Sequence, residues 1–201
     1  MKSSFETLQK RVHHITGALV FLASLLTYYV TIAPTTSFWD CGEFIACSKI
    51  LGVVHPPGSP LYLLVGRIMT MLPFFEDIGL RVNFFSALIS AAAVLLTYLI
   101  IAHLIRRWRG EPRTGEDLFV LHFSAAFGAL AFAFTDSQWF NAVEAEVYAF
   151  SMFFTAIVIW LALYWEERSE QAGNLTLIIT IFYLFGLALG VHLLNLLTFP
   201  V

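Results

Sequence analysis

Asp40, Glu43, Lys49 and His55 crowd into the stretch from Trp39 to Pro60, WDCGEFIACSKILGVVHPPGSP, beside two cysteines and two adjacent prolines. Read as a short helix, Asp40 and Glu43 stand three residues apart, which puts both carboxylates on one face. Paired carboxylates can take a proton from a hydroxyl, hold a hard divalent cation or bind a cationic substrate group. The plainer reading is a solvated connector whose acids favour the positive end of a helix. A second group, Asn141, Glu144, Glu146 and Tyr148, and a third, His192 and Asn195, set polar side chains in otherwise apolar sequence. If one continuous helix carries the second group, Asn141, Glu144 and Tyr148 share a face while Glu146 points away from Glu144. A single glutamate is then expected to reach a common site. Structural readings stand beside these: the glutamates as first-turn acids, His192 and Asn195 as interhelical hydrogen-bond partners.

The elements that must position these residues follow from composition. With 59% hydrophobic and 12% charged residues and a mean hydropathy of +0.78, the chain lies outside the range of soluble domains and within that of helical membrane proteins. A net charge of -3 without a basic run excludes nucleic acid as a partner. Apolar runs predict membrane-spanning helices over Ile15 to Ala33, Val82 to Ile105, Leu118 to Thr135, Val143 to Trp165 and Leu175 to Phe199. Leu61 to Phe75 is short, carries Arg67 midway and is closed by Pro73, so it reads as an interfacial helix. His55-Pro56-Pro57-Gly58-Ser59-Pro60 forces a turn ahead of it, because proline fixes φ and biases the preceding residue away from helix. That turn is expected to bring His55 back toward Asp40. The predicted fold is an all-α polytopic bundle in one transmembrane domain, residues 1–201, with about five spans and two short helices in a first outer loop, 34–81.

Positive charges orient this bundle. With Leu61 to Phe75 not crossing, Lys2, Lys10, Arg11, Arg106, Arg107, Arg109, Arg113 and Arg168 share one side and Lys49, Arg67 and Arg81 the other. The positive-inside rule makes the first side cytoplasmic, including the N-terminus. Asp40, Glu43, His55, Glu144, Glu146, Tyr148, His192 and Asn195 then gather on the extracytoplasmic side, where intramembrane and juxtamembrane ionisable groups mark function. His13, His14, His103 and His122 fall toward the cytoplasmic side and carry no assigned chemistry. Trp39 and Trp139 near one boundary, with Trp108 and Trp165 near the other, fit an aromatic belt. Gly186 and Gly190 have the spacing of a close helix contact. Cys41 and Cys47, six apart on a helix, are separated by about 9 Å, beyond the roughly 7 Å a disulfide tolerates. Phosphate-binding loops, HExxH, GxSxG and CxxC are absent from the sequence.

SFWDCGEF, HPPGSPLY, NAVEAEVYAF and GVHLLNLL, spread from Ser37 to Leu197, carry a resemblance. Together with one span followed by a long acidic outer loop, they resemble the start of the GT-C membrane glycosyltransferases. More closely, they resemble a bacterial membrane-protein family without assigned function that is related to an animal protein O-mannosyltransferase of the endoplasmic reticulum. The resemblance implies transfer of a sugar, mannose in the animal relative, from a polyprenyl-phosphate donor to a protein, lipid or glycan acceptor on the extracytoplasmic face of a bacterial inner membrane. It implies Asp40 as general base with Glu43 as close second. His55, Arg67, Glu144, Glu146, Tyr148, His192 and Asn195 would bind substrate, with Arg67, Lys49, Arg81 or protonated His55 offsetting the phosphate. A magnesium or manganese ion held by Asp40, Glu43 and Glu144 is compatible with hard oxygen ligands. Members of that family are longer, so the chain is expected to be the N-terminal part of a larger module, inactive alone or completed by other subunits. The competing class is a non-catalytic scaffold, subunit or transporter that uses the same acids and histidines for binding.

Overall fold

Long apolar runs leave a chain in lipid only one way to satisfy its backbone within a single segment, the α-helix. The computed structural model describes residues 2–171 and 173–198 and contains helices and no strand among them. In chain order these are α1 (Lys2–Val30), α2 (Cys41–Ile50), α3 (Pro60–Met71), α4 (Ile78–Arg109), α5 (Gly115–Ala133), α6 (Asp136–Ala142), α7 (Val147–Glu166) and α8 (Asn174–Leu189), then a 3-10 helix, Leu193–Thr198. α4, α5, α7 and the Ser4–Val30 part of α1 are long and apolar enough to cross a membrane. The all-helical bundle and the two short helices within 34–81 agree with the sequence reading.

α4 is the central element, packing against α1, α5 and α7 along its length and against α2, α3 and α6 near its start. Small residues make this closeness workable: Ala87, Ala91 and Ala102 of α4 are buried with Ala125, Ala129 and Ala133 of α5 in one core. A second core joins Phe44 of α2, Tyr62 of α3, Phe85 of α4 and Phe150 of α7. Its rings meet edge to face, with centroids 5.1 Å apart for Phe44 and Tyr62 and for Phe85 and Phe150.

Several boundaries differ from expectation, α4 running from Ile78 to Arg109 rather than from Val82 to Ile105. α1 begins at Lys2 rather than Ile15, since a helix nucleated by its apolar half propagates at one hydrogen bond per residue through polar sequence. α7 begins at Val147 rather than Val143. The Val143 carbonyl, which a continuous helix would give to the amide four residues on, accepts instead from the Ala33 N–H at 2.9 Å. Residues 136–142 form α6, capped by Thr135, whose hydroxyl accepts from the Gln138 N–H. Finally, the predicted fifth span divides: α8 stops at Leu189, 16 residues or about 24 Å long, short of a hydrocarbon core of about 30 Å. Asn195 holds the turned end, its amide donating to the Ala188 and His192 carbonyls at 2.9 and 3.0 Å. Phe199, the end of that predicted span, lies outside the described residues.

The glycine pair is also used differently. Gly186 faces open space, whereas Gly190 sits against Leu61 and its carbonyl accepts the Leu61 N–H at 2.8 Å. The close approach between helices that glycine permits is at Gly66 of α3, where a Cβ would overlap the side chain of Ser48 on α2.

Candidate functional site

The chain leaving α1 is pinned before it reaches Asp40. Asn83, buried on α4, donates its amide to the carbonyls of Ala33 and Thr35 at 2.8 and 2.7 Å. Its Oδ1 accepts from the Cys41 thiol at 3.7 Å. Trp139 of α6 donates its indole N–H to the Thr31 hydroxyl at 2.9 Å. These contacts fix the start of α2 at the end of the bundle where α1 finishes and α4 and α7 begin. Asp40 is the N-cap residue of α2, yet its side chain makes no capping hydrogen bond. The carboxylate is therefore free for other work, against the plain reading of a helix-end acid.

Glu43 is committed to His55. One carboxylate oxygen accepts the His55 backbone N–H at 2.8 Å and the other accepts from ring Nδ1 at 2.7 Å. Because a carboxylate only accepts, Nδ1 carries a proton, and Nε2 is turned toward Asp40 with Oδ2 3.9 Å away. The hydrogen bond to Glu43, reinforced by the negative charges of Glu43, Asp40 and Glu146, raises the His55 pKa; the same bond lowers that of Glu43. The HPPGSP turn thus returns His55 to Asp40 as its prolines require. Phe44 backs the imidazole, with ring centroids 5.9 Å apart.

The late start of α7 changes the reading of the two glutamates. Residues 143–146 are not helical, and Glu146, in an extended conformation as the N-cap of α7, does not diverge from Glu144 by the helical period. Both are buried, Glu144 at 1% exposure and Glu146 at 6%. Burial, and then the charges of Asp40 and Glu144, push the Glu146 pKa up to about 7. Oε1 of Glu144 has no hydrogen-bond partner among the described residues. Burial also raises the Cys41 thiol, which feels Glu144 and Glu146. Asp40, Glu43, His55, Glu144 and Glu146 therefore form one electrostatic neighbourhood, in which His55 interacts with Asp40, Glu43 and Glu146.

Other candidates are placed elsewhere. Arg67 donates to the Lys49 carbonyl at the far end of α2, a helix of ten residues and so about 15 Å from Asp40. Arg81 donates to the carbonyls of Phe75 and Thr70 at 2.6 and 2.9 Å and ties the α3–α4 connection. Asn195 is buried and accepts from the hydroxyls of Ser151 and Thr155 at 3.1 and 3.3 Å, a packing role. His192 stacks at a tilt on Tyr148, centroids 5.2 Å apart, and its Nδ1 accepts the Leu194 N–H. Asn141 donates to the Ser137 carbonyl within α6. For a cation, one ligand atom each from Asp40, Glu43 and His55 lies within 4.8 Å of the others; Glu144 is not in that set. Asn83 is a positioning residue that no motif in the sequence marks. Its signal was a lone amide in the apolar run that became α4.

A cavity of about 1140 Å3 runs along α7, and none of Asp40, Glu43, His55, Glu144 and Glu146 is among its lining residues. Asn141, Ser137 and Tyr148 line one end, while Met152, Ile159 and Phe182 make an apolar wall further along.

No solved structure matches the chain. It is similar to the protein O-mannosyl-transferase tmem260 of Dictyostelium discoideum, 25% identical over 158 residues covering 78% of this chain and 18% of that protein. It is similar also to the protein O-mannosyl-transferase TMEM260 of Mus musculus, 27% identical over 150 residues covering 75% of this chain and 19% of that protein. The chain thus spans about a fifth of the length of these curated relatives. A family model described as the protein O-mannosyl-transferase TMEM260 N-terminal domain matches residues 40–201, so that the match opens on Asp40 itself. The chain belongs to the family of TMEM260 N-terminal domains.

Proposed function

We propose that this chain supplies the catalytic first loop of a membrane glycosyltransferase that moves a sugar, mannose by analogy with its relatives, from a polyprenyl-phosphate donor to a protein hydroxyl on the extracytoplasmic face. The observation that carries the proposal is the uncommitted Asp40 carboxylate, 3.9 Å from an imidazole that Glu43 holds protonated at Nδ1. In the transfer step the acceptor hydroxyl oxygen forms a bond to the anomeric carbon while the bond from that carbon to the phosphate oxygen breaks. The hydroxyl proton passes to Asp40, and the phosphate departs with the electron pair. His55 in its protonated form, which the hydrogen bond to Glu43 favours, offsets the phosphate's charge as it leaves. Glu146, held near neutrality by burial, keeps the total negative charge around Asp40 from rising further. The apolar wall along α7 fits the isoprenoid chain of such a donor, with its polar end at Asn141 and Tyr148.

Asp40, Glu43 and His55 also fit a divalent ion, magnesium or manganese by their carboxylates, provided His55 releases Glu43. Such an ion would neutralise the donor phosphate in place of the imidazolium.

Incubating the intact protein with labelled polyprenyl-phosphate mannose and an acceptor peptide tests the proposal. Label is expected on the peptide, and not with Asp40→Asn. A protein that neither binds nor consumes the donor would be a scaffold, and the catalytic reading would fall.

A further inference from the structure

At the opposite end of the bundle, where α1 and α5 begin and α4 finishes, the structure gathers a second set of ionisable side chains. A cavity of about 280 Å3 is bounded by His13 of α1, Arg106 of α4 and His122 of α5. Gln9 closes one side, donating its amide to the Pro112 carbonyl at 2.8 Å. Tyr98, fully buried, orders the interior: its hydroxyl lies 2.8 Å from His122 Nδ1 and donates to the His13 carbonyl at 3.1 Å. The two imidazoles are held with centroids 5.5 Å apart. His122 is 5% exposed, so this is a built interior rather than a surface coincidence. The Arg106 guanidinium, half-buried, has neither ion-pair nor hydrogen-bond partner among the described residues. Lys10 and His14 stand at the exposed rim with Glu6 and Glu111.

We propose that this cavity is a phosphate site, and that its occupant is the headgroup of an anionic phospholipid. The Arg106 guanidinium is a donor with no acceptor site of its own and matches phosphate oxygens in pairs. The two acids lie on the solvent-exposed rim, where water and salt screen them, while the cation and the imidazoles line the interior. Basic pockets between the ends of membrane helices are the usual seat of acidic lipid headgroups. The surroundings fit that depth: Trp108, 86% exposed, and Arg107 and Arg109 follow Arg106 on the last turn of α4. The site is independent of the acid cluster and of the glycosyl-transfer reading.

The test is lipid retention by the intact protein purified in detergent, read by native mass spectrometry after exchange into phosphatidylglycerol or phosphatidylcholine. Phosphatidylglycerol is expected to be retained in preference, and inorganic phosphate to compete with it. Arg106→Gln should weaken retention about fivefold, the scale of one cation beside a lipid headgroup. Arg107→Gln, which removes a cation paired with Glu166 outside the cavity, should leave it unchanged. Equal retention of the two lipids, or equal losses for Arg106→Gln and Arg107→Gln, would overturn the proposal. Binding of inorganic phosphate without any preference between the lipids would overturn its lipid occupant.

Discussion

Asp40 and Glu43 are separated by what each side chain already does. Glu43 gives both oxygens to His55, while Asp40 caps nothing. Asp40→Asn is therefore expected to lower transfer by roughly 100-fold or more with donor binding retained, as for loss of a general base. Glu43→Gln should act through His55, lowering donor affinity more than it lowers transfer from bound donor; a reversed pattern in steady-state kinetics would exchange the two roles. The pH dependence follows from the same contact. The His55 pKa is raised above 6.5, so the stabilisation from its pairing with Glu43 is fully present below 6.5 and is lost as pH rises through the raised value. Donor affinity measured against pH should fall over that window, and Glu43→Gln should move the fall to lower pH. Glu146 behaves in a related sense. Its folded pKa of about 7 lies above the ordinary 4.5, so folding stability declines as pH rises from 4.5 to 7. Glu146→Gln should raise thermal stability at pH 8, by up to about 3 kcal/mol, and leave it unchanged at pH 4.

Among the elements, the short helices of the first loop were legible and the approach to α7 was not. Pro56, Pro57 and Pro60 impose a turn by local sterics, and sequence contains everything needed to see it. What stops a helix at Val143 is the amide of Ala33, a partner distant in sequence, and Val143, Glu144, Ala145 and Glu146 include no glycine or proline to mark the break. That single hydrogen bond is why Glu144 and Glu146 were expected on opposite faces and are found in one buried neighbourhood. The end of α8 was hidden in the same way, since Asn195 reads as a site residue until its partners on α7 are seen. Asn195→Ala should leave the Ser151 and Thr155 hydroxyls without their shared acceptor, while the Ala188 and His192 carbonyls keep their backbone N–H donors. Loss of about 1–3 kcal/mol is expected in thermal unfolding, with donor chemistry otherwise intact. Gly66→Val would push α3 from Ser48, and with it the turn that carries His55.

For the molecule as a whole, composition alone placed the chain in the membrane, because hydropathy is additive and needs no contacts. The site needed contacts: acids from 40–43 and from 144–146 come together where the Ala33 N–H meets the Val143 carbonyl and Asn83 of α4 holds Ala33 and Thr35. The charge distribution of the sequence predicts that both sets face the extracytoplasmic side. Single cysteines near Glu43 and near Glu144, in a background lacking Cys41 and Cys47, should both react with an impermeant probe added from outside. Labelling of only one of them would break the topology.

The bond from Ala33 to Val143 also sets an order of events during synthesis. Asp40 leaves the ribosome about 100 residues before Glu144 does, an interval of roughly 5–20 s at ordinary elongation rates. Through that time the nascent first loop has Glu43 and His55 to pair with each other, but lacks the strand of backbone that receives Ala33. The Glu43–His55 clasp and the Asn83 anchor can form early, and the closing hydrogen bond only when α6 has emerged. Pausing translation between α4 and α6 should thus yield a loop whose cysteines, Cys41 and Cys47, react with thiol reagents, and release past Val147 should protect Cys41, which is fully buried in the finished fold.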